Sequence, residues 1–510
     1  MRACAIMKWP VRLFSLASLL LATPAIAAPA ADLALVNRLS WGETAQGDTL
    51  GGLSAQAWLQ QQLHPSDDDG LPAQVQARIA AMDISQHSPA RLNDQVLVLR
   101  QQMQRAGGGP DGDAARKAYQ QRLTELARQA QERSLLRDLY SKNQLKEQLT
   151  WFWFNHFNVD ARKGEIRAFV GDYEDTIRAH ALGKFGDLLV ATATHPAMLQ
   201  YLDNAQNAAG HINENYAREI MELHTLGVGS GYSQQDVQEL ARVLTGLGLN
   251  LTGRAPGNFK RGDFRLDFTD EGRPTNLTLF NYQRHDFGDK KFLGTTIKGR
   301  GISEIATALT ILAAEPPTAH FVSRQLAQYF CCDAPSDQLV SAMAATWKRS
   351  NGDIAQVLAT LFASSEFTAS LGKKFKDPIH YAVSAVRATY GDQVIASTQP
   401  IMNWLNRMGE PLYGHETPDG YALTAAGWSG PGEMSARFEI AQMIGAGARN
   451  LFKPDNGPPP PAPPPVLQQT AYYTALTSAL SPATTNAIAQ GKNQADRNML
   501  FLSSPEFMRR

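Results

Sequence analysis

The chain of 510 residues is 43% hydrophobic and 19% charged, enough apolar side chains for a substantial core, which excludes disorder as its main state. Its 48 Lys and Arg balance 48 Asp and Glu, so no global field draws it to nucleic acid or to an anionic surface. Three cysteines in so long a chain exclude a fold built on disulfides.

Residues 1–27 read as a Sec-type signal peptide. Arg2, Lys8 and Arg12 precede an apolar run from Leu13 to Ala22, and Ala25 and Ala27 supply the small residues of a cleavage site. Ala28 and Ala30 offer a second such site, and neither a twin arginine nor a lipid-bearing Cys follows the run. The run is shorter than the about 20 residues of a membrane span, and no later stretch reaches that length. The expectation is a periplasmic or secreted protein beginning near Ala28, with no transmembrane segment. Losing the leader removes three basic and no acidic residues, which leaves a net charge of minus three.

From 28 to 248 apolar positions recur at three and four residue spacing, predicting helices over 55–63, 91–105, 114–140, 145–159, 165–180, 214–226 and 234–245. Glycines make 107–113 a flexible break. The segment 249–300 reads as a loop-rich insertion with short strands, because Phe264, Leu266 and Phe268 alternate among Gly, Asp and Asn. Helices resume in 301–453, over 302–313, 318–329, 336–349, 354–362, 378–390 and 435–446. A stiff Pro-rich linker at 454–465 precedes a last helical segment, 466–510. The expected fold is thus mainly α, a multi-helix array interrupted by one loop-rich insertion. Ser364-Ser365-Glu366-Phe367 and Ser504-Pro505-Glu506-Phe507 are alike and hint at a duplication.

There is no H-E-x-x-H helix, P-loop or Gly-rich dinucleotide turn, and Gly427-Trp428-Ser429-Gly430-Pro431 has Pro where a nucleophile elbow needs its second glycine. The densest polar segment is 214–227, capped by Asn213 and ended by Gly227. At about 100° per residue Tyr216, Ile220 and Leu223 form its apolar stripe, Glu219 and Glu222 line one flank, and His224 falls on the other. Glu219 and Glu222 are the carboxylate candidates for ligation or acid/base work. The competing reading is an ion-pair lock in which Arg218 and Arg242 neutralise the carboxylates of this helix and the next, which starts with a Ser233/Asp236 capping pair.

His156 sits in Trp151-Phe152-Trp153-Phe154-Asn155-His156-Phe157, aromatic on every side and therefore expected to be buried. It is either a hydrogen-bonded core histidine or a catalytic base. His285 and Asp286 lie in the insertion, where they either bind a ligand or hold the loop. With Glu219 they are the candidate ligands of a divalent metal, and Asp263, Asp267, Asp270 and Glu271 supply further oxygens nearby without calcium-loop spacing. Cys331 and Cys332 read as two thiols in apolar packing, since neighbouring Cα atoms stand too close for an unstrained bridge.

Together these segments resemble a family of exported bacterial proteins, the domain of unknown function 1800. The resemblance rests on Trp153-Phe154-Asn155-His156-Phe157, the 214–227 helix, Asp236 to Arg242 with Leu244-Thr245-Gly246, and His285-Asp286-Phe287-Gly288 through Gly294. It continues through 316–330, Gly427-Trp428 and Ser503 to Phe507, and so covers nearly all of the mature chain. It departs from the family at Glu315, where relatives often have His before Pro, and at Cys331-Cys332. What the resemblance implies is export and a partner, since such genes often lie beside those of an exported protein of the phosphatase/sulfatase-like superfamily. Two function readings follow: a helical binding protein of the envelope, or a metal-assisted hydrolase with Glu219, Glu222 and His156 as catalytic groups. Convergence of His156, Glu219, Glu222, Arg242, His285 and Asp286 on one cleft would favour the second.

Overall fold

The structure is a computed structural model that describes residues 28–251, 277–391, 393–454 and 456–510. The expected leader, the 264–268 alternation and Asp263, Asp267, Asp270 and Glu271 lie outside the described residues. Within them the protein is mainly α, with 23 α-helices and two small two-stranded sheets. One contiguous apolar cluster runs through the chain from Leu33 to Met508.

Caps set many helix starts as their residue types dictate. Helix Ala55–Leu63 begins at Ser54, Ile354–Phe362 at Asp353 and Pro378–Tyr390 at Asp377, and each cap side chain accepts a main-chain N–H two or three residues on. The expected break at 107–113 is only three glycines long, because Pro110 opens helix Pro110–Tyr140 in the position where a missing N–H costs nothing. The expected 165–180 helix is split by Phe169 into a 3₁₀ turn, Ile166–Ala168, and helix Val170–His180. Helices Ala28–Leu39, Phe185–Ala193 and Gln399–Arg407 add to those expected.

In the insertion β1 (Leu247–Leu249) pairs antiparallel with β2 (Thr278–Phe280), and β3 (Lys290–Phe292) pairs with β4 (Thr295–Ile297). The β3–β4 turn places Leu293 and Gly294 at φ 46° and 74°, the geometry a two-residue hairpin loop demands.

The two Ser-x-x-Phe look-alikes make the same clasp. Ser364 and Ser504 each accept the N–H of the phenylalanine three residues on, at 3.1 Å. Glu366 then accepts the N–H of Ser336, the cap of helix Asp337–Ser350, and Glu506 accepts that of Ser481, the cap of helix Pro482–Ala489, both at 2.9 Å. Each clasp closes a helical hairpin, completed by Ile354–Phe362 in one and Gln494–Leu502 in the other.

Two buried arginines join distant parts of the core. Arg38 donates to the main-chain oxygens of Phe330, Cys331, Ser370 and Arg510 and to the Ser370 hydroxyl, at 2.6–2.9 Å. Arg510 donates to Tyr329 O at 3.0 Å and Gln148 Oε1 at 3.1 Å, and its guanidinium lies over the Tyr329 ring. Tyr329 and Phe330 end helix Pro316–Phe330, so both cations occupy a C-terminus whose last carbonyls have no helical partner. Burial and the neighbouring Arg510 pull the Arg38 guanidinium down to about 9.

Removing Arg38 strands the carbonyls of Phe330 and Cys331, whereas Ser370 O and Arg510 O keep the N–H groups of Lys373 and Lys374. We expect Arg38→Ala to lose about 3–5 kcal/mol of stability and Arg38→Lys to recover only part, since an ammonium cannot span the same acceptors. Urea unfolding checks this, and an Arg38→Ala midpoint equal to wild type would refute the role.

Candidate functional site

The polar segment starts as a helix, Glu214–Glu219, with the Asn213 side chain accepting the Asn215 N–H at 3.0 Å. It continues as a π-helix, Ile220–Thr225. Leu226 N–H donates at 2.8 Å to the carbonyl of Met221, five residues back, and the Thr225 hydroxyl donates to Ile220 O at 2.7 Å. The wider turn corrects the expected face. His224 comes in line with Ile220 and is buried, while Leu223 is left partly exposed. Such single π-turns are frequent at functional positions. Gly227 ends the segment at φ 86°, and a Cβ there would stand 2.9 Å from the Phe321 ring.

His156, near the end of helix Gln144–His156, is buried beside it, with ring centroids 6.0 Å apart. Its Nδ1 meets Gln325 Oε1 at 2.6 Å and its Nε2 the His224 carbonyl at 3.0 Å. Burial pushes the His156 imidazole down to about 4, and burial together with His156 pushes His224 well below its ordinary value. Both rings are therefore neutral at pH 7. A neutral His156 donates from Nε2 to the carbonyl and accepts at Nδ1 from the Gln325 amide turned to present its NH₂. His224 Nε2 has no hydrogen-bond partner among the described residues.

The carboxylates face the other way. Glu214, Arg218 and Glu222 form a half-exposed row, with Arg218 3.5 Å from Glu214 and 3.6 Å from Glu222. Gln234 and Gln238 of the next helix, Gln234–Val243, donate to Glu214, and the Tyr232 hydroxyl donates to Glu222. Glu219 makes no ion pair or hydrogen bond among the described residues. Burial first, then Glu222 and Asp419, raise its carboxyl above the usual range. The loop carrying Asp419 is held by Asn155, which donates to Tyr421 O and accepts its N–H, and by Asn158, which donates to the carbonyls of His415 and Thr417.

His285 and Asp286 belong to a separate network. His285 Nδ1 lies 2.8 Å from Thr245 O and Nε2 3.1 Å from Glu304 Oε1. The buried Lys290 donates to the second oxygen of Glu304. The expected capping box is present at Ser233 and Asp236, and the other oxygen of Asp236 accepts the Leu293 N–H of the hairpin. Arg242 pairs at 2.8 Å with Glu239 of its own helix and with Asp286, which the guanidinium and the Gly288 N–H hold well into the acid range, at about 2. This corrects the expected lock: Arg242 ties its helix to the 286–289 loop and not to the 214–225 helix, which Arg218 serves alone.

The DUF1800 family, described as a protein of unknown function, matches residues 34–509. The chain belongs to this family. No curated protein and no solved structure matches it.

In this DUF1800 chain the structure brings together Glu219, Glu222 and Asp419 on one side and Arg242, His285 and Asp286 on another. It does not bring Glu219, His285 and Asp286 to one ligand-sized space. Among the described residues, the group of His, Cys, Asp and Glu whose ligand atoms all lie within 4.8 Å is Cys331, Cys332 and Glu366. Sequence reasoning missed that group, and it missed Glu304 and Lys290, although the Glu366 look-alike segment carried a signal.

The neutral histidines set a pH dependence. The unfolded chain takes up protons near pH 6.5, whereas His156 in the fold resists until about 4. Its contribution is therefore full above pH 6.5 and lost as pH falls, by about 3 kcal/mol at pH 4. Urea midpoints measured from pH 8 to pH 4 should decline, and less steeply in His156→Gln protein. A flat profile would show that burial does not hold the ring neutral. Arg242→Ala should cost about 1–2 kcal/mol, since its pairs are only partly buried, and a loss above about 4 would mean a tighter network.

Proposed function

We propose that this DUF1800 protein is exported to the cell envelope and acts there as a helical binding partner of an exported protein of the phosphatase/sulfatase-like superfamily. The observation that carries the reading is the division of labour in the 214–227 segment. Glu214, Arg218, Glu219 and Glu222 stand on an outward edge, while His156 and His224 are turned inward and kept neutral. His285 has both ring nitrogens beside other groups, at Thr245 and Glu304. Charged groups at a rim steer and select a partner, and the unpaired Glu219 beside Glu222 is a carboxylate suited to an arginine or lysine from outside. The leader supports export, and the family resemblance supports the partner.

Two measurements test it. N-terminal sequencing of protein from the envelope should begin near Ala28, and recovery only of intact Met1 from cytosol overturns export. Mixing the purified chain with an exported phosphatase/sulfatase-like protein of the same cell should give a complex, weakened at least about tenfold by Glu219→Lys with Glu222→Lys in a folded variant. Unchanged affinity, or no complex with wild type, overturns the partner reading.

One observation favours a second reading. A carboxyl raised by burial and by Glu222 and Asp419 suits a general acid, so Glu219 with Glu222 is the pair a metal-assisted hydrolase would use. A stoichiometric divalent metal lost in both Glu219→Gln and Glu222→Gln proteins would establish that reading over the first.

A further inference from the structure

Cys331 and Cys332 follow helix Pro316–Phe330, Cys331 within the apolar core as expected and Cys332 packed against it. Cys331 is buried, but Cys332 is partly exposed. Both border a cavity of about 480 Å³, lined also by Glu366, Lys373, Lys374 and Arg509. The two sulfurs and a Glu366 oxygen lie within 4.8 Å of one another, and the Cys332 thiol donates to Glu366 Oε1 at 3.6 Å.

We propose that Cys331, Cys332 and Glu366 form a binding site for a thiophilic divalent cation of the zinc class, with a fourth coordination position open to the cavity. Two thiols and one carboxylate are a ligand set of the right softness, and zinc sites with three protein ligands keep one position free. At metal–sulfur distances of about 2.3 Å and metal–oxygen distances of about 2.1 Å, the ligand atoms need to close by only about 1 Å. The frame around them is already set. Ser336 donates its N–H to Glu366 Oε1 at 2.9 Å and its hydroxyl to Oε2 at 2.5 Å, which orients the carboxylate. Arg38 donates to the Cys331 carbonyl at 2.9 Å and fixes the backbone that carries both thiols.

The charge balance is simple. One cation displaces the two S–H protons, giving a neutral dithiolate unit, two released protons and a carboxylate that completes a net charge of minus one. Lys373 and Arg509 at the cavity wall offset that charge and favour a small anion or a hydroxide in the fourth position. Both thiols must lose their protons to bind, so cation uptake must weaken as pH falls.

The test uses reduced mature protein and cadmium as the probe. We expect one cadmium per chain, a thiolate-to-cadmium charge-transfer band, release of two protons and protection of Cys332 from alkylation. Cys331→Ser with Cys332→Ser should abolish the band, and Glu366→Gln should weaken binding at least about tenfold. The wild-type band and alkylation read the site even if the double variant fails to fold. No band with wild type, a band kept in the double serine variant, or wild-type affinity in Glu366→Gln would overturn the assignment.

Discussion

A cation taken out of water has to be met by oxygen, and in the centre of this protein much of that oxygen belongs to the main chain. Arg38 and Arg510 satisfy themselves on carbonyls at the end of one helix and on each other's backbone. Arg387 does the same with the carbonyls of Gly42 and Leu139, while Arg437 bonds that of Lys376 through one nitrogen and otherwise stacks against Phe375 and Tyr381. A carboxylate partner at each position would add a second ion to desolvate. Carbonyls at helix ends and in loops are buried in any case and need donors, so one guanidinium answers several at once. The consequence is geometric: each arginine fixes the placement of segments far apart along the chain.

The 214–227 segment meets the same helix, Pro316–Phe330, at Phe321. It has one wall of aromatic rings around His156 and His224 and one edge of charge facing out, and the π-turn assigns residues to each. A regular helix would point His224 away from His156. The extra residue in the turn brings it inward, where a ring whose Nε2 has no hydrogen-bond partner among the described residues is kept neutral by burial. The polar network of His285, Glu304 and Lys290 is built on other principles, with charge meeting charge inside the fold to pin an irregular loop.

Much of this was legible in the residues. Ser233 and Asp236 announced their capping box, Gly227 its helix end, and the aromatic run around His156 its burial, because each is a local consequence of side-chain chemistry. The Phe169 interruption was hidden, since apolar periodicity continues across it. The inward turn of His224 was hidden for a related reason: a π-turn leaves no mark in a pattern read at 3.6 residues per turn. Arg242 was assigned the wrong partner because helix geometry says which side chains share a face, not which loop will be folded against it. The shared clasp of Glu366 and Glu506 was visible as a repeated word, but its grammar, a glutamate reaching back to the serine that caps the preceding hairpin, is tertiary.

The Arg38 nexus also dictates an order of events. Its acceptors on Phe330, Ser370 and Arg510 lie 292, 332 and 472 residues away along the chain. Chains are made from one end, so the helix bearing Arg38 is synthesised long before anything exists for its guanidinium to hold. Until then the charge is better left in water, and the early helices lack the contact that closes the core over them. Such a polypeptide remains threadable for most of its synthesis. Late closure keeps the early helices on local contacts alone until the segment carrying Arg510 has been made.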